Sequence, residues 1–214
     1  MCGRFGFSMP PRRAAAYFGL DLPPALAGFR FPGDPATIRP GTHLLAGRID
    51  PATGRPTLAL LRWGLIPAWA RDAAFASKCI NARSETMAEK PAFRDAFRQR
   101  RCLIPADLFY EWTTAGKVKT PHAIRVDGGA PFAMAGLWET WTDPATGEAV
   151  ATCAIVTTQA NAAMAALHER MPVLLDEAAR AAWLAPRTPP PALAALCAPS
   201  PLPLAITRLA PGSV

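Results

Sequence analysis

Apolar residues recur along this chain with two periods, and the change between them falls near residue 101. Before it, "PPRRAAAYFG" (10–19) reads as a short helix opened by proline and closed by glycine. A Pro- and Gly-rich stretch runs from there to about residue 41, too irregular for a long element. "THLLAGRID" and "RPTLALLRWG" then flank "PATG", the pattern of a β-hairpin. "RWGLIPAWARD" runs on as a loop. "SETMAEKPAFRDAFRQRR" (84–101) predicts a helix capped by Ser84, acidic early and basic late as the helix dipole favours, with Pro91 breaking or kinking it. From 101 the period moves towards two. "RCLIPADLFYEWTT", "TPHAIRV", "APFAMAGLWETWT" and "AVATCAIVTT" predict strands, separated by the turn chemistry of "AGK", "DGG" and "DPATGE". "QANAAMAALHER" (159–170) and "DEAARAAWL" (176–184) predict helices on either side of "MPVLL". Beyond them lies a Pro-rich surface excursion, and "LPLAITRLA" returns as a closing strand. Antiparallel strands with intervening helices predict an α+β single domain over residues 1–214, its mostly antiparallel sheet curled into a β-barrel-like core flanked by helices.

Composition narrows the class. Half of the 214 residues are hydrophobic, which suits a globular chain, and no apolar run approaches the roughly 20 residues of a membrane span. The opening residues lack the basic start and apolar stretch of a secretory leader, which predicts a cytoplasmic protein with no membrane association. A net charge of +7, carried mainly by arginine, is compatible with a polyanionic partner. The five cysteines (2, 79, 102, 153, 197) show no C-x-x-C pair and no zinc-type spacing, so no metal is expected. Cys102 and Cys153, in apolar strand-like runs, read as core thiols.

Four residues carry candidate chemistry. Cys2 would bear both an α-amine and a thiol once Met1 is removed, which its small side chain permits. Their ordinary pKa values, about 7.7–8.0 and about 8.5, leave usable nucleophilic fractions near neutral pH. Glu111, in the largely apolar "DLFYEW", is either the wet face of an amphipathic strand or a carboxyl that must be paired or protonated to be buried. His168 closes an Ala-rich run, where an imidazole either caps the helix or serves the site. Asn81 reads as a turn former or a site residue.

Together these residues fall within seven motifs in fixed order: "MCGRF", "RWGLIPAWA", "NARSET", "RCLIPADLFYEW", "FAMAGLWETW", "AIVTTQAN" and "HERMPVLL". They span nearly the whole chain, which resembles the SRAP (SOS response-associated peptidase) family of abasic-site DNA–protein crosslinking proteins. The resemblance implies a DNA damage-response protein acting on single-stranded DNA with an abasic site, as a monomer without cofactor, nucleoid-associated when bound. It assigns Cys2 as the nucleophile that closes a thiazolidine with the sugar aldehyde, and Glu111 as a proton shuttle in ring opening and imine formation. His168 would assist proton transfer and bear on reversal or strand scission, and Asn81 would hold the geometry. Arg4, Arg83 and Arg170 would meet phosphates, for which the guanidinium fork is suited. Trp69 and Trp112 would stack on or wedge a splayed strand, while Trp63, Trp138 and Trp141 read as core. Where many members carry an Asn-x-Ala-Pro-Thr-Gln-like segment, this chain reads "TIRPGTHLLA", which keeps Pro40 as a wedge and replaces the Asn and Gln types.

Two other readings stay open. Cys2, His168 and Glu111 can be drawn as a cysteine-type peptidase that processes its own terminus, with hydrolase or lyase activity alongside the DNA role. The basic residues and tryptophans alone would make a non-catalytic single-strand DNA-binding module.

Overall fold

The structure, a computed structural model, describes residues 2–214; Met1, and with it the question of its removal, lies outside the described residues. The chain runs β1 (Phe5–Gly6), α1 (Pro11–Phe18), β2 (His43–Ile49), β3 (Pro56–Trp63), β4 (Asn81–Arg83), α2 (Arg94–Gln99), β5 (Arg101–Ala106), β6 (Leu108–Ala115), β7 (Val118–Val126), β8 (Phe132–Thr142), β9 (Ala149–Gln159), β10 (Arg170–Pro172), β11 (Leu174–Leu175), α3 (Glu177–Leu184), α4 (Pro190–Ala195) and β12 (Leu204–Arg208). Strands β2, β3, β9, β8 and β5 close on one another as a five-stranded barrel. Every step round it is antiparallel except β3 against β9, where Arg62 and Trp63 pair in parallel with Thr152 and Cys153. Beside the barrel lies an antiparallel four-stranded sheet in the order β1-β6-β7-β12. The α+β, barrel-like class expected from the period change is therefore the observed one.

The barrel is filled by alternate residues of its strands, and large side chains with polar tips satisfy them on backbone. Trp63 and Trp183 are wholly buried, and their indole N–H groups donate to the carbonyls of Ile80 and Cys102 at 2.8 and 3.0 Å. Trp138 and Trp141 are buried too, as are Cys102 and Cys153. Helix α1 starts on Pro11 and ends where Gly19 takes φ +65°, a left-handed cap that frees the chain to turn back. Arg101 is buried yet fully used: its guanidinium donates to the carbonyls of Phe97 and Arg98 in α2 and of Trp183 and Ala185 at the end of α3. One cation thus satisfies two helix C-termini, whose carbonyl ends favour positive charge.

Four expectations are corrected. Residues 84–101 form one short helix, α2, after a run of turns across Pro91. The N–H of Ser84 goes to the Thr157 carbonyl on β9. Residues 159–170 are not a helix: β9 continues through Gln159, residues 162–167 are turns, and His168 stands just before β10. Alanine favours helix, but Asn161 accepts the Met164 N–H at 3.0 Å, donates to the Ser200 carbonyl, and leaves the chain to return along β9. The run 101–114 is two strands in two sheets, divided at Asp107, whose carboxylate takes the Ser8 N–H and hydroxyl at 2.7 Å each. The Pro-rich excursion contains α4, which starts on proline and buries Leu193.

Gly6 is needed where β1 passes the loop before β2. A Cβ on it would lie 2.7 Å from the carbonyl oxygen of Ala36, which also accepts from the Tyr110 hydroxyl at 3.1 Å. Gly6→Ala should therefore cost about 1–3 kcal/mol by overpacking against backbone. Urea unfolding would measure the shift, and a midpoint equal to wild type would mean that the loop gives way freely.

Candidate functional site

The site is built where β1, β4 and β6 converge. Tyr110 donates its backbone N–H to the Arg4 carbonyl at 2.9 Å, extending the β1–β6 pairing towards the start of the chain. Cys2 is held from the other side by Asn81, whose Nδ2 donates to the Cys2 carbonyl at 2.9 Å. Asn81 opens β4, which pairs in parallel with β9, so its side chain is aimed by a strand, and the turn-former alternative falls away. Its Oδ1 is buried and, among the described residues, has no hydrogen-bond partner. An acceptor left in this state beside Cys2 can receive an N–H or O–H from a bound molecule.

The Cys2 thiol is buried, and burial pushes its pKa well above the ordinary range, with the Glu111 carboxylate raising it further. The resting thiol is therefore protonated. Glu111 lies on β6 only 3% exposed, so the wet-face alternative is excluded. Across the β6–β7 ladder its partner is His122, also buried, whose Nδ1 finds no hydrogen-bond partner among the described residues. Directly opposed residues bring their Cβ atoms to about 4.5–5.5 Å, close enough for a carboxyl and an imidazole to interact. His122 is the residue that sequence reasoning missed. The period-two reading of "TPHAIRV" put it on a strand, but only the register places it opposite Glu111.

His168 and Arg170 are joined through backbone. The Arg170 N–H donates to His168 Nδ1 at 2.9 Å, which leaves the proton of a neutral imidazole on Nε2. Arg170 is buried, and its guanidinium grips Glu85 with two bonds of 2.6 and 2.9 Å and the Thr157 carbonyl at 2.7 Å. These bonds hold the Glu85 carboxyl below its usual range. Arg83 is exposed and lines, with Gln159, Glu169 and Arg170, an open hollow of about 570 Å³. Arg4 sits with its guanidinium 5.3 Å from the Trp112 ring centre. Trp69 projects from the loop after β3 at 57% exposure, edge-on to Phe75, and Pro40 is exposed in the loop before β2. Cys2, Asn81 and Glu111 thus form one centre, Arg4 with Trp112 and His168 with Arg170 form two further pairs, and Trp69 stands on its own loop. Among the described residues, no three His, Cys, Asp or Glu side chains cluster as metal ligands would, and no helix is long and apolar enough to cross a membrane.

The Arg170–Glu85 pair makes a pH prediction. A carboxyl depressed in the folded state contributes stability above its unfolded pKa, about 4.3, and loses it as pH falls through the lower folded value. Glu85→Gln should flatten that acid limb and cost about 1 kcal/mol at pH 7, because the Glu85 side chain is 42% exposed and solvent screens its charge. Thermal unfolding between pH 3 and 7 would show it; parallel curves for both proteins would contradict it.

The family model described as "SOS response associated peptidase (SRAP)" matches residues 1–210. This chain is an SRAP protein. The SRAP chain is 47% identical over 135 residues to "Abasic site processing protein YoqW" of Bacillus subtilis, a match covering 63% of this chain and 60% of that relative. It is 34% identical over 150 residues to "Abasic site processing protein HMCES" of Xenopus tropicalis, covering 59% of this chain and 44% of that protein. The matches therefore span less than two thirds of either relative. Among solved structures, a Bacteroides thetaiotaomicron protein superposes with a TM-score of 0.86 at 25% identity, over 98% of this chain and 92% of that one. A Bordetella bronchiseptica protein superposes with a TM-score of 0.81 at 27% identity, over 98% and 100%. These two carry the SRAP barrel and its four-stranded companion as a shared fold.

Proposed function

We propose that this SRAP protein processes abasic sites by covalent capture: Cys2, freed of Met1, forms a thiazolidine with the sugar aldehyde in single-stranded DNA. The observation that carries the reading is the setting of Cys2, whose carbonyl is tied to Asn81 and whose thiol lies in the field of Glu111. The α-amine adds to the aldehyde carbon, and loss of one water leaves an imine. The thiol then adds across C=N, forming the S–C bond while its proton passes to nitrogen, and a five-membered ring closes. A protonated thiol suits this order, since the electrophile is activated first. Glu111 moves the protons, and the open acceptor of Asn81 receives a hydrogen bond from the amine or a sugar hydroxyl.

The same setting argues against a general cysteine peptidase. That chemistry needs a thiolate paired with a base, whereas burial and Glu111 both raise the Cys2 pKa. Cleavage restricted to the bond before Cys2 remains compatible with the family's name, and β-elimination from the imine is a secondary outcome. Arg4 and Arg83 contact phosphates; Arg170 acts with His168 at the sugar, its charge already shared with Glu85. Trp112, Trp69 and Pro40 meet the strand around the lesion. The protein works as a cytoplasmic monomer that joins the nucleoid through its DNA.

Intact-mass measurement after mixing with an oligonucleotide bearing one abasic site tests the reading. The expected species has the summed mass less one water, resistant to heat and denaturant. Recovery of unmodified protein and DNA, with binding unimpaired, would replace capture by the non-catalytic binding module.

A further inference from the structure

We propose that Arg39 and Arg4 form a two-arginine clamp for one backbone phosphodiester of the captured strand, next to Cys2. This rests on the reading above for the identity of the strand.

The placement comes from the chain itself. Phe5 and Ile38 form an antiparallel bridge, exchanging both backbone bonds at 3.2 and 2.7 Å. Continuing that register by one residue sets Arg39 across from Arg4, with both side chains on the face opposite Phe5 and Ile38, which are buried. The Arg4 guanidinium stands near Trp112 on this outer face. Like charges directly across a ladder are destabilising unless something of opposite sign lies between them. Among the described residues neither arginine forms a salt bridge. The nearest acid in the loop, Asp34, is occupied by the Ala36 N–H at 2.8 Å and the Thr37 hydroxyl at 3.3 Å.

Two further observations point to an anion. Nε and Nη1 of Arg4 are buried, yet among the described residues neither has a hydrogen-bond partner, so one edge of the fork is desolvated and lacks the acceptor it calls for. Arg39 repels the Arg4 charge strongly enough to lower its pKa, second only to burial as a cause. A phosphodiester answers both, accepting the open donors of Arg4 while neutralising the pair, as guanidinium forks do with phosphate. Arg39 is exposed and borders a hollow of about 290 Å³ with Phe31, Ile38 and His43, which leaves a path for the strand. Cys2 and Arg4 are two residues apart, at most about 7 Å between Cα atoms, so the clamped phosphate is one beside the lesion.

The test separates the clamp from the chemistry. Undamaged single-stranded oligonucleotide offers no aldehyde, so its salt-dependent binding reads strand contact alone. Arg39→Ala should lower the slope of log affinity against log salt by about 0.7, Arg4→Ala by a similar amount, and the double variant by about twice that. Arg39→Lys should keep the slope, and Arg94→Ala, at an exposed Arg94–Asp95 pair, should leave it unchanged. On abasic DNA, Arg39→Ala should slow adduct formation at low DNA and reach the wild-type rate at saturation. An unchanged slope in Arg39→Ala overturns the clamp, as does equal Arg39-dependent affinity for a mononucleotide, which would indicate a free-phosphate site. Loss of covalent product in wild type with the slopes as expected would overturn capture and leave the clamp standing.

Discussion

Cys2→Ala should eliminate the heat-stable adduct, and so should any residue left in front of Cys2. The ring needs two atoms that only a terminal cysteine offers, a primary amine to make the imine and a β-thiol to close on it. An internal cysteine can form only a reversible thiohemiacetal. Cys2→Ser should retain a weaker product, trapped by borohydride as a reduced imine, because oxygen adds less readily than sulfur. The three proteins are expected to fold alike. The Cys2 side chain is small, and its carbonyl bond from Asn81 survives each change. Denaturing gels of adduct against time read the result. Wild-type yield from the extended protein would exclude the amine and with it the whole route.

Glu111→Gln is expected to slow adduct formation, and His168→Ala to spare that step and alter the fate of the adduct. General acid–base assistance is worth about 10²–10⁴ in rate, and a reactive aldehyde places the loss at the low end of that range. Gln keeps the shape of Glu111 and removes the proton it moves. His168 is placed differently, just before β10 with Nδ1 occupied by the Arg170 N–H, so a proton it transfers passes through Nε2. Its loss should show in reversal or strand scission, read by a chase with unlabelled abasic DNA. The division of labour fails if both variants show the same defect in both phases.

Apolar runs rich in β-branched and aromatic residues, bounded by turn chemistry, made six strands readable: β2, β3, β8 and β9 of the barrel and β7 and β12 of the four-stranded sheet lie close to where the sequence put them. What it missed was decided by tertiary pairing. The alanines of 159–168 favour helix locally, but β10 pairs with β9 through Gln159, Thr158 and Thr157 and draws the chain back. The division at Asp107 was hidden because apolar, buried residues run on both sides of it and read as one strand. The site was legible in its members and not in its geometry. Cys2, Asn81 and Glu111 were candidates by residue type and resemblance, and they do converge. His122 could not be found without register, because nothing local distinguishes it from a histidine on a wet strand. Arg170 looked like an open cation, and only the fold reveals that Glu85 already holds it.

The parallel step between β3 and β9 also governs how this protein comes to be folded. Arg62 must find Thr152, and no hairpin can bring them together. Until about three quarters of the chain has left the ribosome, β3 and β8 each present an unpaired edge made of apolar strand. Contacts of such sequence separation make folding slow, on the millisecond-to-second scale, and open edges invite pairing with another chain. Truncations before β9 should therefore collect in the insoluble fraction, while removal of β12, at the rim of the four-stranded sheet, should not.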